Sequence, residues 1–287
     1  MRGCPCREQC FECPCNVYKC AILIDPDTPS GIKPTSNDAI FSLTKQPILY
    51  ASDEFNSDEL NDFWKASQSN QFLQSNVQLD NGRLKLLFTD ENGEYKGGRV
   101  NMKYNPATEA AHERTFDPFG FFEVRAKISD GIGRSSIFQI YPVDGFTPDG
   151  VEDPTARKGA EISIVMGSKT TAEYQIKIGY KVAAGADLTN ELFTVTAPNL
   201  WDGLFHTFGL YWESDFLKFY FDGNLVLTVT DENLIPQTEH MPRLSANMAS
   251  WQNGGPENAD WPATYEIDWI RMYKLGMYLV LILKCDI

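Results

Sequence analysis

The sequence predicts an all-β fold built from two stacked sheets, and three observations support this prediction. Short apolar stretches that alternate with polar residues and end at turn residues recur from about residue 48 to about residue 274. No helical stripe of useful length interrupts them. The expected strands are too numerous for one open sheet, which would curl or split, so we expect sheets packed face to face. With 43% of the 287 residues hydrophobic, the chain has enough apolar side chains for one sizeable core or two small ones.

The clearest predicted strand is FFEVRAKI at residues 121–128, in which apolar and charged residues alternate. We expect a buried face of Phe122, Val124, Ala126 and Ile128 and a wet face of Glu123, Arg125 and Lys127. Further strands are predicted at 83–88, 99–103, 137–141, 161–165, 173–181, 191–196, 206–212, 217–221, 225–230 and 265–273. Asp222, Gly223 and Asn224 favour positive φ, so they predict a tight hairpin between two of these strands.

The segment before the predicted β domain has two parts. Six of the seven cysteines lie between Cys4 and Cys20, so residues 1–20 form a Cys-rich segment. It could be an extracellular disulfide knot, a soft-metal site, an acylated segment near a membrane or a wrongly assigned start of the sequence. Residues 21–47 are rich in Pro, Ser, Thr and Asp and predict a linker. No apolar signal-peptide core follows Met1, so secretion has no direct support.

The C-terminal segment and the net charge limit the partners we expect. Residues 275–287 are predicted to be an apolar tail, in which Met277 to Leu283 reads MYLVLIL. A membrane-spanning helix needs about 20 such residues, so an edge strand or a disordered tail is favoured over a membrane anchor. A net charge of −14 would repel a phosphate polymer, so nucleic acid is not an expected partner, and the β domain is not expected to contact a membrane. An aromatic content of 13% suits a packed β core or a groove that stacks sugar rings.

Four segments of the domain predicted at residues 48–274 resemble glycoside hydrolase family 16, which contains laminarinases, lichenases and agarases. They are DEFN from Asp53, GFFEVRAKI from Gly120, FHTFGLYWESDFLKFYFDG from Phe205 and PATYEIDWIRMYK from Pro262. The resemblance implies a concanavalin A-like jelly-roll sandwich of two antiparallel sheets, with a concave cleft that holds a polysaccharide. It also implies hydrolysis or transfer of β-linked glucans or galactans with retention of configuration. Retention requires two carboxyl groups about 5 Å apart, one as nucleophile and one as general acid/base.

The catalytic motif implied by the resemblance is incomplete in this chain. The family pattern is Glu, any, Asp, any, any, Glu on a bulged strand, or a version with the second Glu at i+4. In the segment GAEISIVMG, Glu161 stands at the nucleophile position, Ser163 at the Asp position and Met166 at the acid/base position. Val165, at i+4, supplies no acid either. Since a thioether has no proton to give, the motif predicts a catalytically impaired or inactive domain.

Three functions remain open at this stage. The first is recognition of β-glucan or a related polysaccharide without cleavage. The second is a retaining endo-glycosidase or transglycosidase that uses Glu161 and recruits an acid from elsewhere, with Asp149, Glu152 and Asp153 nearest in sequence. Such acids more often only solvate an exposed loop. The third is a structural domain that binds no sugar.

Aromatic residues of the cleft supply the candidate sugar platforms. Trp251 and Trp261 flank the loop QNGGPENAD and are the first candidates, and Trp201 is a further one. Where family enzymes usually read Trp, Pro, Ala, Phe, Trp, this chain has SSIFQ from Ser135 to Gln139, so two stacking platforms are missing. Gln139 is therefore a candidate polar contact to the sugar, while the missing platforms favour the structural alternative.

The remaining Trp and His residues are expected to be structural. Trp212 and Trp269 fall within strand patterns and should be buried, and His206, His240 and His112 are expected to pack or form hydrogen bonds. The sequence contains no Gly-rich phosphate loop, nucleophile elbow or HExxH, and its Asp residues lack calcium-loop spacing. No cofactor is predicted, although a structural calcium of the kind some relatives carry is left open. The sequence predicts no oligomeric state.

Overall fold

Two large antiparallel sheets and one small two-stranded sheet contain the strands of the computed structural model. The structure describes residues 10–11, 19–20, 35–36, 45–62, 64–102, 118–142, 160–167, 172–180, 189–249 and 255–277. The strands are β1 (Cys10–Phe11), β2 (Lys19–Cys20), β3 (Lys45–Asp53), β4 (Trp64–Ala66), β5 (Val77–Leu79), β6 (Leu84–Asp90), β7 (Tyr95–Gly97), β8 (Arg99–Met102), β9 (Gly120–Lys127), β10 (Arg134–Pro142), β11 (Glu161–Gly167), β12 (Glu173–Tyr180), β13 (Thr189–Thr196), β14 (His206–Trp212), β15 (Leu217–Phe221), β16 (Asn224–Val229), β17 (His240–Met248) and β18 (Ala263–Met277). Short 3₁₀ helices cover Gln74–Asn76, Glu232–Leu234 and Pro256–Asn258.

The two large sheets pack face to face as a jelly-roll sandwich, which confirms the predicted fold class. The seven-stranded sheet, which we call the groove sheet, has the order β13-β12-β11-β10-β17-β8-β4. The nine-stranded outer sheet has the order β16-β15-β14-β9-β18-β6-β5, with β3 paired to β18 and β7 paired to β6. Antiparallel pairing lets each sheet bury one face and leave the other accessible, so consecutive side chains of a strand point alternately into the core and away from it.

The core lies between the two sheets and is filled by their alternate residues. Ile162 and Leu244 of the groove sheet belong to the same buried cluster as Phe122 and Val124 of the outer sheet. Trp212 also lies in this cluster, with its Nε1 donating a hydrogen bond to the Pro236 carbonyl oxygen at 3.0 Å. Each fully buried apolar side chain of this size contributes about 2 kcal/mol of burial free energy. The expected core position of Trp212 is therefore confirmed.

The strand predictions agree closely with the structure in the region of the β14–β15–β16 meander. β14 and β15 have the predicted bounds, and φ is +47° at Asp222 and +76° at Gly223 in the hairpin. Other strands were not predicted, namely β1, β2, β3, β4, β5, β7 and β17. The expectation of a wet face on β9 is wrong at Glu123, which is 0% exposed because Thr35 covers it.

The chain passes from the outer sheet to the groove sheet at Gly97 and Gly98, between β7 and β8. A Cβ on Gly97 would lie 1.8 Å from the Ala246 carbonyl oxygen, and one on Gly98 would lie 2.2 Å from the Asn76 carbonyl oxygen. No side chain fits at either position, so only glycine permits this approach of backbone to backbone. The Gly97 N–H also donates to the Gln71 carbonyl oxygen at 2.9 Å, which ties the loop after β4 to the crossing.

The segments at the two ends are described only in part. β1 and β2 place Cys10 opposite Cys20, but the Cys side chains lie outside the described residues, so the chemistry of the cluster stays a prediction. β18 extends to Met277, where it pairs with Lys45 of β3, and residues 278–287 lie outside the described part. Among the described residues, no helix is long and apolar enough to cross a membrane.

Candidate functional site

A bulge in β11 places the three motif positions on the face of the groove sheet that points away from the core. β11 advances three residues from Ser163 to Met166, whereas β12 advances two, from Lys177 to Gln175. The pairing with β10 shifts at the same place, so β11 carries one extra residue there. The residues between the motif positions, Ile162, Ile164 and Val165, belong to the core. Glu161, Ser163 and Met166 therefore lie on the opposite face of the sheet, which we call the groove face.

The residues on the buried face of β11 confirm this assignment of the two faces. Ile162, Ile164 and Val165 belong to the core cluster and are 1% exposed or less. Two consecutive core residues, Ile164 and Val165, occur only because the bulge interrupts the two-residue alternation. Met166 consequently leaves the core side and faces the groove at i+5 from Glu161, the spacing that the sequence motif requires.

Glu161 lies at the floor of the groove and has two described contacts, both at Oε1. The Lys177 ammonium Nζ lies 2.7 Å from this oxygen, and the Ser163 hydroxyl donates a hydrogen bond to it at 3.3 Å. Glu161 is only 8% exposed, so its charge is partly desolvated and the nearby cation offsets that cost. The carboxylate is held in place by its two neighbours on β11 and β12.

Met166 supplies no ionisable group at the third motif position. Its side chain is 3% exposed and lies in register with Ile137 of β10 and Gln175 of β12. A thioether is a weak acceptor without a transferable proton, so Met166 acts here only as an apolar filler between its neighbours.

The second carboxylate on the described groove face is too far from Glu161 to replace the missing acid. Glu173 shares a face with Gln175 and Lys177 because they alternate along β12. It lies six residues from Gly179, the partner of Glu161, and this corresponds to about 20 Å along the strand. A retaining pair needs a separation of about 5 Å. The acids named for recruitment, Asp149, Glu152 and Asp153, lie outside the described residues.

Polar side chains from neighbouring strands continue the groove floor beside the motif. Gln139 of β10 is 4% exposed and lies in register with Ser163 on one side and Arg243 of β17 on the other. The Arg243 Nε donates to the Asn101 Oδ1 at 2.6 Å, and its guanidinium lies 3.9 Å from the centre of the Tyr141 ring. The structure therefore places the predicted binding residue Gln139 directly next to the motif.

A second arginine, Arg99 of β8, lies at the far side of this floor. Its guanidinium carbon lies 3.6 Å from the centre of the Phe72 ring. Burial, together with the positive charge of Arg243, lowers the pKa of Arg99 to about 10. Arg99 remains charged at neutral pH, and it lines a cavity of about 450 Å³ together with Lys65, Asn101 and loop residues that include Phe72.

The candidate aromatic platforms occupy different settings. The Trp261 ring stacks on Tyr95 at 5.3 Å between ring centres, with 28° between the planes, and the Arg134 guanidinium lies 5.6 Å from the centre of the same ring. Its Nε1 donates to the Pro256 carbonyl oxygen at 3.1 Å. Trp201 is half-buried and packs against the core, and Trp251 lies outside the described residues. Their roles as sugar platforms stay predictions.

The His residues and the remaining strand Trp are structural where they are described. His206 Nδ1 lies 2.8 Å from Asp222 Oδ2, and its Nε2 lies 3.2 Å from Asp202 Oδ1. His240 is fully buried between backbone carbonyls, and this burial lowers its pKa. Trp269 is 8% exposed, while His112 lies outside the described residues. Among the described residues, no group of three or more His, Cys, Asp or Glu side chains could hold a metal ion.

Sequence reasoning missed the cations of the groove, namely Lys65, Arg99, Lys177 and Arg243. Arg243 lies on β17, a strand that was not predicted, although its core residues Leu244 and Ala246 alternate with polar ones. The period-two pattern of that segment was the one available signal. Which cation lies next to which motif residue depends on the order of the strands in the sheet.

Comparisons with known proteins agree with this architecture. Residues 64–271 match the sequence profile described as "Glycosyl hydrolases family 16". A beta-glucanase from Acetivibrio thermocellus is 26% identical over 244 residues, an alignment that covers 83% of this chain and 63% of the relative. The chain therefore spans less than two thirds of the length of that relative.

Two solved structures share the fold. The endo-beta-1,3-glucanase from Pyrococcus furiosus superposes with a TM-score of 0.63 at 20% identity, covering 81% of this chain and 96% of that one. LamA from Z. galactanivorans, in complex with laminaritriose and laminaritetraose, gives a TM-score of 0.58 at 20% identity and covers 79% of this chain and 98% of that one. At these identities the likeness establishes the fold alone.

Proposed function

Because the chain belongs to the glycosyl hydrolases of family 16, we propose that its groove face binds a β-glucan or a related polysaccharide and that the chain is impaired or inactive as a hydrolase. One observation carries the catalytic part of this proposal. The groove-face position at i+5 from Glu161 holds the thioether of Met166, where a retaining mechanism needs a proton donor.

The consequence for rate follows from the role of the missing group. A positioned general acid/base contributes about 10² to 10⁴ in rate, and a sugar alkoxide is a poor leaving group without protonation. Ser163 can hold Glu161 through its hydrogen bond of 3.3 Å, but it carries no charge. Glu161 alone would have to attack the anomeric carbon while nothing protonates the bridging oxygen.

The binding part of the proposal has separate support. Gln139, Arg243 and Asn101 form a continuous polar row across the groove floor beside Glu161. Such a row offers donors and acceptors to sugar hydroxyls, and the jelly-roll fold is shared with a LamA structure that contains laminaritriose and laminaritetraose. We include in this proposal the extracellular location suspected from the cysteines, since polysaccharides of this kind occur outside the cell.

The test compares binding and cleavage by the full chain on laminarin, lichenan and agarose. We expect binding by affinity electrophoresis and no release of reducing ends above background. The double variant Ser163→Asp with Met166→Glu should then increase the release of reducing ends by about 10² or more. The matched control Ser163→Asn with Met166→Gln has nearly the same shape and no proton donor, so it should stay at background.

Two results would contradict the proposal. Cleavage by the native chain at an ordinary enzymatic rate, abolished by Glu161→Gln, would identify it as an active hydrolase. Absence of binding to all three polysaccharides would support the alternative of a structural domain.

The retention of Glu161 favours a second candidate function, a retaining endo-glycosidase or transglycosidase. A carboxylate that is 8% exposed and held by Ser163 and Lys177 is the arrangement expected of a positioned nucleophile. This candidate requires an acid from Asp149, Glu152 or Asp153. It predicts that Glu152→Gln or Asp153→Asn lowers a native activity as strongly as Glu161→Gln does.

A further inference from the structure

The charge on the groove face has the opposite sign to that of the whole chain. Among the described residues this face carries four cations, Lys65, Arg99, Lys177 and Arg243, and two carboxylates, Glu161 and Glu173. The chain as a whole carries a net charge of −14. A local excess of positive charge in an acidic protein is unlike a random surface and points to an anionic ligand.

The excess is concentrated at one side of the groove. Lys177 is already paired with Glu161 at 2.7 Å. The positive charge of Arg243 lowers the pKa of Arg99, while the negative charge of Glu161 acts on both guanidinium groups from beyond salt-bridge distance. Because Glu161 is already paired with Lys177, it compensates the two partly desolvated guanidinium groups only from a distance, and a bound anion would offset the remaining cost.

A cavity of suitable size lies at that position. It measures about 450 Å³, within the range of small-ligand sites, and Lys65, Arg99 and Asn101 line it together with Ser67, Gln68 and Phe72. The Arg99 guanidinium stacks over Phe72 at 3.6 Å, which fixes its plane and leaves its edge available for an oxyanion.

Arg99 Nε is buried and has no hydrogen-bond partner among the described residues. Since buried polar groups are nearly always hydrogen-bonded, an incompletely satisfied guanidinium at the wall of the cavity favours an oxyanion there.

We infer that the groove binds an anionic polysaccharide, with a sulfate or carboxylate group between Arg99 and Lys65. This inference rests on the proposed function and narrows its ligand class. The guanidinium of Arg99 and the ammonium of Lys65 bind the oxyanion, and Arg243 adds its positive charge.

The test uses one glucan backbone in three forms: neutral laminarin, sulfated laminarin and carboxymethylated β-1,3-glucan. The full chain is titrated with each by isothermal calorimetry at low salt and at 0.5 M NaCl. We expect at least one anionic form to bind about tenfold more tightly than neutral laminarin at low salt, with the difference reduced at high salt. The form that binds more tightly distinguishes sulfate from carboxylate recognition.

Variants locate the effect. Arg99→Gln should lower the ratio of anionic to neutral affinity by about tenfold, and Lys65→Gln by a smaller factor. The matched control is Lys127→Gln, which removes a cation from the outer sheet and should leave the ratio unchanged. Lys65 lies on β4, at one edge of the groove sheet, so its variant remains informative if Arg99→Gln does not fold.

Each result has a distinct meaning. Equal affinity for the neutral and anionic forms would overturn this inference and leave the proposed function standing. Binding of anionic forms that depends on Lys127 as much as on Arg99 and Lys65 would overturn it as well. Failure to bind any form would contradict the proposed function itself.

Discussion

Two buried carboxylates on opposite surfaces of the sandwich are stabilised in different ways. Glu161, on the groove face, is 8% exposed and lies 2.7 Å from the ammonium of Lys177. Glu123, on the solvent side of the outer sheet, is 0% exposed and accepts hydrogen bonds from the backbone N–H and the hydroxyl of Thr35. Burial raises the pKa of Glu123 to about 7, because the Thr35 donors and the positive charge of Arg271 only partly replace water. Burial alone therefore does not distinguish a ligand-binding acid from a structural one.

The surroundings of the two residues explain this difference. Glu123 faces Gly209 on the neighbouring strand, which leaves space above the sheet. Thr35 occupies that region and also contacts Gly223, where a Cβ would lie 2.7 Å from the Thr35 carbonyl oxygen. The acid thus anchors a distant segment to the outer sheet, whereas Glu161 remains at the floor of an open groove.

The largest expected effect is the pH dependence that Glu123 gives to the free energy of unfolding. Its folded-state pKa of about 7 exceeds the ordinary value of 4.5, so between these pH values the folded chain holds a proton that the unfolded chain has released. The corresponding stabilisation is fully present below pH 4.5 and is lost as the pH rises through 7. For Glu123→Gln, the free energy of unfolding relative to the native chain should therefore rise by about 3 kcal/mol between pH 4.5 and about pH 8.

Urea denaturation at a series of pH values measures this effect. Glu161→Gln, measured in the same series, is the comparison for a carboxylate in direct contact with a cation. A difference between Glu123→Gln and the native chain that does not change with pH would refute the assignment.

The next effect tests the cation beside Glu161. Lys177→Met leaves Glu161 mostly buried without its partner and should lower the free energy of unfolding by about 2 kcal/mol at neutral pH, less than for a fully buried pair because the groove admits water. The double variant Lys177→Met with Glu161→Gln should recover most of this loss. Chemical denaturation of the three proteins provides the measurement.

An exposed ion pair provides the control for this prediction. Lys85→Met breaks the contact of 2.6 Å with the exposed Asp80 and should leave stability unchanged within error. Equal losses in Lys85→Met and Lys177→Met would mean that burial of Glu161 contributes nothing.

The smallest effect concerns the hydroxyl that contacts Glu123. Thr35→Val removes the hydrogen bond of 2.7 Å from Oγ1 and keeps the backbone donor, so it should cost about 1 kcal/mol, more above pH 7 than below it. Thr35→Ser retains the hydroxyl and should restore most of the loss. If thermal denaturation shows a loss for Thr35→Ser and none for Thr35→Val, the methyl group rather than the hydroxyl stabilises this contact.

The fold could be predicted where strand periodicity is undisturbed. β14 and β15 were located correctly because apolar residues alternate and a positive-φ turn separates β15 from β16. β17 was missed because Pro242 interrupts its pattern. The structure tolerates this proline because β8 pairs with β17 only from Arg243 to Ser245, so no ladder hydrogen bond to β8 is required at residue 242.

The site could be predicted only along a single strand. The positions of Glu161, Ser163 and Met166 follow from the motif and its bulge, which are local features of β11. The cation beside Glu161 lies on β12, and the donor to Glu123 lies 88 residues away in sequence. Such neighbours depend on strand order and loop packing, which the sequence pattern of one element does not encode.

The crossing at Gly97 and Gly98 has a consequence for how the width of the groove could evolve. There the layers touch through main-chain atoms and neither glycine has room for a Cβ, so this part of the scaffold has no side chain whose size could be varied. Adaptation to a thicker or thinner glycan at the Arg99 end would have to come from the loop that includes Gln68 and Phe72. That loop is accordingly the place where homologous chains should diverge in length.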